Sequence, residues 1–419
     1  MGDQVAPSIA RLTPFERVAS WVWLLVCALA PISGRLMPVP MTLSIVLLLV
    51  VLMQRRPLPY VRLLWPLAAF YLLHVVGMLW STDISFGLFD LQVKLGLVLL
   101  PLAACAFTAL YPDGLHRSML AFTAGTGVAI VLSVWKATLC YRTAGDPGCF
   151  SQSTFSYDLH PSYAAWYACW ALAYWGLRAV RSGSVRLAVV PMIIVLGLSV
   201  FIIMLASKSG LIGLFLVVGV IIITWMKRSS PRHWLIAVGA GTVVLVALVL
   251  LGGGRVVDRV RVAFDALGTA QRGDPALYAS EGGSEMRLVA WQCSAELLPS
   301  APLGSGTGDV KHALVGCYEA KGARAAAEKR LNAHSQFLQG GVALGWPGLI
   351  MALLIGMVPL WVACKRNHLL LGMFAGLFII NAAVESVLEV QAGVVLVGIV
   401  LGLLAQHRTS YPTEPKAQT

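Results

Sequence analysis

The chain has 419 residues, of which 58% are hydrophobic and only 12% charged. A soluble globular domain carries roughly 25% charged residues, so a chain this apolar cannot bury its own surface by folding on itself in water and falls in the membrane class. The formal charge of +12 raises nucleic acid as a partner. The basic residues, however, sit in short runs between apolar spans, with no arginine-rich arm, zinc-finger spacing or aromatic–basic RNA motif, which argues against nucleic acid.

A helix needs about 20 apolar residues to cross the hydrocarbon, and on that template about 12 spans are expected. They lie near 18–34, 38–53, 62–80, 95–110, 118–138, 161–180, 187–206, 210–226, 234–252, 336–363, 369–387 and 392–406. The first apolar span, from Val18 to Pro31, lacks a small-residue cleavage site followed by a soluble domain, so it reads as a transmembrane helix rather than a signal peptide. The expected fold is an all-α polytopic membrane protein. Residues 1–252 carry helices one to nine, 253–335 form one large helical loop, 336–406 carry the last three helices, and 407–419 are a tail.

Lysine and arginine in short loops set the orientation. Arg55, Arg56 and Arg62, then Arg178, Arg181 and Arg186, then Lys227, Arg228 and Arg232, then Lys365 and Arg366 mark one set of connections, and Arg11, Arg17, Arg408 and Lys416 mark the two ends. The alternate connections hold few, such as Arg35 and Lys94. The first set and both termini are therefore expected in the cytoplasm. The connections 81–94, 139–160 and 253–335 then face the other side. The large loop carries both signs in near balance, and long loops cross largely regardless of charge.

Eight cysteines test this. Cys140 and Cys149 share one expected outside loop, and Cys293 and Cys317 share the large one. Cys27, Cys105, Cys169 and Cys364 fall in or at the ends of spans. Even numbers within single outside loops favour disulfides over unpaired thiols and place the large loop in an oxidising bacterial periplasm.

Within the large loop, 255–268 (RVVDRVRVAFDALG) has helical apolar spacing and suits either the membrane interface or packing against the loop. Segment 284–298 is expected to be a helix. The glycine-rich PLGSGTGDV after it can cradle phosphate or serve as a connecting loop. It lacks the P-loop lysine and setting, which favours the connection. Segment 321–331 is rich in helix formers.

The sequence has no Walker A motif, no dinucleotide fingerprint, no HExxH and no zinc spacing. Energy for any reaction must come from the substrate. Three ionisable residues lie at the expected outer boundary of the membrane: Lys208 in ASKSG, Arg287 in the large loop, and His334 where that loop meets a span. Ionisable groups against hydrocarbon are functional candidates by default. Taken singly, Lys208 can snorkel to the interface, Arg287 can be a solvated loop residue, and His334 can cap a helix. Taken together they suit a diphosphate with a base beside it. Lysine and arginine hold phosphate oxygens and neutralise a departing diphosphate, and a histidine takes a proton from an attacking hydroxyl. Glu385 and Glu389, four apart near the end of the eleventh span, can balance the basic site, orient a sugar, or form structural ion pairs with loop arginines; the last is the favoured reading.

His334-Ser335, followed by Gly345 and Gly348, resembles the signature of bacterial O-antigen ligases and of related polymerases and oligosaccharyltransferases. Arg287-Leu288-Val289-Ala290-Trp291 and Pro302-Leu303-Gly304-Ser305-Gly306 are similar in order and spacing, as is the plan of spans around one large loop. The resemblance implies a GT-C-like glycosyltransferase of the bacterial inner membrane, acting without nucleotide sugar, cofactor or metal. His334 would correspond to the family's essential histidine, Arg287 to its loop arginine, and Lys208, by position, to a second arginine. That lysine is a departure, since it keeps the charge but loses the planar fork.

On this reading the donor is a glycan on undecaprenyl diphosphate, gripped by Lys208 and Arg287. His334 is the base for a sugar hydroxyl of lipid A–core, with an inverting outcome. A polymerase or a protein O-oligosaccharyltransferase shares the motif. A glycan transporter is the rival of another class, disfavoured because no internal repeat is visible.

Overall fold

The computed structural model describes residues 12–55, 61–182, 184–227 and 276–406. The expected ninth span at 234–252 and the amphipathic segment 255–268 lie outside these. Among the described residues up to 227 the α-helices are α1 Pro14–Leu29, α2 Pro38–Arg55, α3 Val61–Gly77, α4 Ile84–Lys94, α5 Gly96–Leu110, α6 Gly114–Ala144, the short α7 Gln152–Phe155, α8 Pro161–Arg181, α9 Val185–Leu205 and α10 Lys208–Met226. From residue 276 onward they are α11 Ala276–Ala279, α12 Gly283–Ser300, α13 Val310–Ala320, α14 Arg324–Glu328, α15 Gln336–Arg366, α16 Leu369–Val384 and α17 Gln391–Gln406. No strand occurs among the described residues.

Among the described residues, seven segments are long and apolar enough to cross a membrane: α2, Arg62–Trp80, the joined pair Ile84–Leu110, α6, Arg186–Leu205, α10 and α15. Helices α16 and α17 are shorter but equally apolar. This is a multi-pass membrane protein. Its outer faces carry large apolar side chains such as Trp21, Val39, Trp135, Leu187, Ile193 and Trp361, as contact with lipid requires. The centre is α8, buried on nearly every face from Pro161 to Leu177, which explains its lower apolarity: it meets protein, not lipid. It packs against α9, α10 and α16. Trp170 lies edge-on to Phe374 at 5.2 Å, and Trp166 stacks on the same ring at 6.3 Å.

Several expected boundaries move. Segment 81–94 is not a connection; most of it is α4, which runs on into α5. Lys94 is 0% exposed and lies 2.5 Å from Asp90 and 2.8 Å from Glu389. Its charge is matched inside the protein, so it marks no loop. Helix α6 continues to Ala144, into the expected loop 139–160, and ends at Gly145 in the left-handed region. Helix α16 stops at Val384, one turn early. Glu385 is its C-cap and Glu389 sits in a separate 3-10 turn, Val387–Glu389, so the two do not share a helix face. Glu389 answers Lys94, not a loop arginine.

Both loop disulfides are present, Cys140–Cys149 and Cys293–Cys317, with Cα separations of 5.8 and 5.9 Å. The remaining four cysteines are free. Helix α12 matches the expected 284–298. Segment 321–331 is helical only over α14, bracketed by left-handed backbone at Gly322 and Arg330. The described part of the large loop has its own small core, including Val289, Leu314, Tyr318 and Ala326, set against Val342 and Leu344 of α15.

The glycine-rich run is the connection that fixes the loop to the helices. Ser305 N–H donates to the Val342 carbonyl at 2.8 Å, Gly306 N–H to Ala343 at 2.9 Å, and Trp346 N–H to Pro302 at 3.0 Å. Gly308 N–H donates to Ser81 Oγ at 3.0 Å. These amides are already engaged, so the run is not a phosphate cradle. The docking coincides with a break in α15, where Gly345 has φ 65° and ψ −150°. Only glycine adopts that conformation readily. A Cβ there would overlap the Pro302 carbonyl, and one at Gly348 would overlap the Gly340 carbonyl.

Candidate functional site

Lys208, Arg287 and His334 line one cleft of about 810 Å³. It is bordered by the start of α8 at His160–Ser162, the start of α10 at Ser207–Ser209, the start of α12 at Gly282–Met286 and the end of α16 at Val384–Glu385. Leu205, Ile212, Leu288 and Ile380 make part of it apolar. Three long helices therefore direct their N-terminal turns, with their positive dipole ends, toward the same space.

Each side chain is set by local backbone. The α9–α10 turn is tight because Ala206 takes φ 47° and Ser207 caps α10, its hydroxyl accepting from Gly210 N–H. Lys208 is then the first helical residue, and its Nζ donates to Ser284 Oγ at 3.0 Å, tying α10 to α12. Arg287 lies in the second turn of α12. His334 has φ 45°, strained for a residue with a Cβ. Asn332 Oδ1 accepts its N–H at 3.0 Å, and its carbonyl accepts Trp291 Nε1–H at 3.0 Å. Those two bonds hold the imidazole at the foot of α15.

Glu385 joins the pieces. Its Oε1 accepts from Arg287 Nη2 at 2.5 Å and faces Ser162 Oγ at 3.4 Å. Its Oε2 lies 3.4 Å from His334 Nδ1, a buried nitrogen that has no hydrogen-bond partner. Burial pushes the Glu385 carboxyl up, but the His334 contact and the Arg287 charge outweigh that and hold it below the usual carboxylate range. The favoured sequence reading, a carboxylate paired with a loop arginine, fits Glu385, with the added consequence that the same carboxylate faces the histidine. His160, which also lines the cleft, was not singled out in the sequence. The helix-start signal His160-Pro161-Ser162 was there, and burial holds its imidazole below the usual value. Among the described residues no cluster of three or more His, Cys, Asp or Glu is placed to hold a metal.

The arrangement can receive an anion beside two cations and place an imidazole, backed by a carboxylate, next to it. The fold and cleft thus define a multi-pass membrane protein with an ionisable site at one end of its helices. Residues 192–353 match the family model described as Wzy_C: O-Antigen ligase, which bears out the resemblance read from the sequence. The matched segment holds Lys208, Arg287, His334, Gly345 and Gly348; Glu385 lies beyond it. No curated protein matches the chain.

Proposed function

We propose that this protein is a GT-C-like glycosyltransferase of about 12 spans in the bacterial inner membrane, transferring a glycan from undecaprenyl diphosphate to lipid A–core at the periplasmic face. The observation that carries this is the meeting of Lys208, Arg287, Glu385 and His334 in one cleft at the ends of apolar helices. The basic helix ends Arg55, Arg178, Arg181, Lys365 and Arg366 belong to the opposite ends of their helices from the cleft. By the positive-inside rule that end is cytoplasmic. Both disulfides belong to the cleft side, which fits an oxidising compartment.

In the reaction, His334 takes the proton from an acceptor sugar hydroxyl. Its oxygen bonds to the anomeric carbon of the donor as the bond from that carbon to phosphate breaks, with inversion. The carrier diphosphate leaves with the electron pair. Lys208, Arg287 and the helix N-termini offset its charge, and that stabilisation grows as the bond breaks. Fixed cations fill the part a divalent metal plays elsewhere, so the reaction is metal-independent.

Purified protein with carrier-linked O-antigen and lipid A–core, with and without chelator, tests this. A glycan ladder on lipid A–core, unchanged by chelator and lost in His334→Ala, is the expected result. Longer carrier-linked chains, or glycosylated protein with a protein acceptor, would replace the ligase by a polymerase or an oligosaccharyltransferase.

A further inference from the structure

Segment 147–160, between α6 and α8, contributes Gln152, Ser153 and His160 to the cleft. Helices α10 and α12 contribute its cations; this segment contributes only neutral hydrogen-bonding groups. Its backbone is fixed from several sides. The Cys140–Cys149 disulfide closes its base. Lys136 Nζ donates to the Ser156 carbonyl at 2.5 Å and to that of Ser153 at 3.3 Å. Phe155, 0% exposed, is seated against Phe201 with ring centroids 5.7 Å apart. Ser133 Oγ accepts Tyr157 N–H at 3.2 Å, and Ser33 Oγ donates to Asp158 at 2.7 Å. Gln152 itself has φ 60°, a conformation that costs a non-glycine residue and persists only where its surroundings impose it.

A phosphate site gains from positive charge; a pyranose gains from fixed, uncharged donors and acceptors at several angles. A segment this firmly built that presents an amide, a hydroxyl and an imidazole suits the second ligand. His160 Nδ1 accepts Ser162 N–H at 3.4 Å, which leaves Nε2 as the hydrogen-bearing nitrogen. Holding such groups in place before the ligand arrives lowers the entropic cost of binding. Resting on the glycosyl-transfer reading above, we infer that this segment is a sugar subsite: Gln152, Ser153 and His160 hydrogen-bond the hydroxyls of the pyranose beside the bond being made.

The sugar could come from the donor's first residue or the acceptor's last, and kinetics separates them. Donor and acceptor are varied independently for wild type, Gln152→Ala, Ser153→Ala and His160→Ala, with a thermal melt as a check on folding. The subsite predicts that KM for one substrate rises about 10-fold per lost hydrogen bond, with KM for the other unchanged and kcat within a few-fold. The substrate whose KM moves owns the sugar. The Cys140→Ser/Cys149→Ser pair should raise that same KM. Equilibrium binding of the delipidated core oligosaccharide and of the free glycan is measured in parallel. This arm needs no turnover, so it tests the subsite even if wild type forms no glycan on lipid A–core, a result that would count against the proposed function alone. Folded variants with both KM values and both binding constants at wild-type levels would overturn the subsite.

Discussion

Nδ1 of His334 lies 3.4 Å from Oε2 of Glu385, whose other oxygen accepts from Arg287. One carboxylate therefore lies against both the proposed base and the cation proposed to bind phosphate. Glu385→Gln keeps the shape but removes the charge. It should lower kcat about 10–100-fold through lost alignment, with a smaller change in KM, and Glu385→Asp should recover part. Equal kcat in Gln variant and wild type would show that the histidine is oriented by something else.

The same carboxylate predicts a pH dependence of stability. Its folded pKa is depressed, so its contribution is present above the ordinary carboxylate range near about 4.3 and is lost as pH falls through the folded value. Thermal melts across that acid range should show wild type weakening as the pH drops. Glu385→Gln, with no proton to gain there, should show a shallower slope.

Lys208 tests the proposed grip on the diphosphate. Its ammonium already reaches Ser284, so a longer, planar side chain must fit beside α12. Lys208→Met should raise the donor KM about 10-fold or more from a lost charge-assisted contact, while Lys208→Arg should stay within a few-fold of wild type. A Met variant with an unchanged donor KM would remove Lys208 from the diphosphate site.

Gly345→Ala should be among the most damaging single changes. It adds a Cβ into the Pro302 carbonyl at a left-handed φ, which separates the glycine-rich run from α15. A cost of several kcal/mol, about 3 or more, is expected from strain and lost docking. A melting temperature equal to wild type would show that the break in α15 can close.

Much of this was legible in the sequence, and the failures have a common cause. Apolar runs gave the helices because lipid and helix period act locally. Lys208, Arg287 and His334 stood out because a charge beside hydrocarbon is costly wherever its partner lies. What local reading missed was pairing across the chain. Lys94 looked like a loop lysine because Glu389, its partner, lies 295 residues away. Glu385 and Glu389 looked like one helical face because nothing in FIINAAVESVLEV marks Val384 as the last helical residue. The glycine-rich run reads as a connection because it lacks the P-loop lysine, and its amides on Val342 and Ala343 agree.

The buried Lys94 cluster gives the last prediction. Lys94 is enclosed, with Asp90 and Glu389 on its Nζ, while Gln336 Nε2 donates to Glu389 at 3.2 Å and Gln336 Oε1 accepts Leu388 N–H at 2.6 Å. Gln336 is two residues from His334, and Glu389 is four from Glu385, so the cluster pins both strands of chain that carry the site. Lys94→Met would strand two carboxylates in the interior and should cost about 3–5 kcal/mol. The double variant Lys94→Met/Glu389→Gln removes one stranded charge and should regain a large part of that loss, a non-additivity that a double-mutant cycle reads directly. If the two substitutions instead add, Lys94 and Glu389 do not act as a pair, and the site is held by the helices alone.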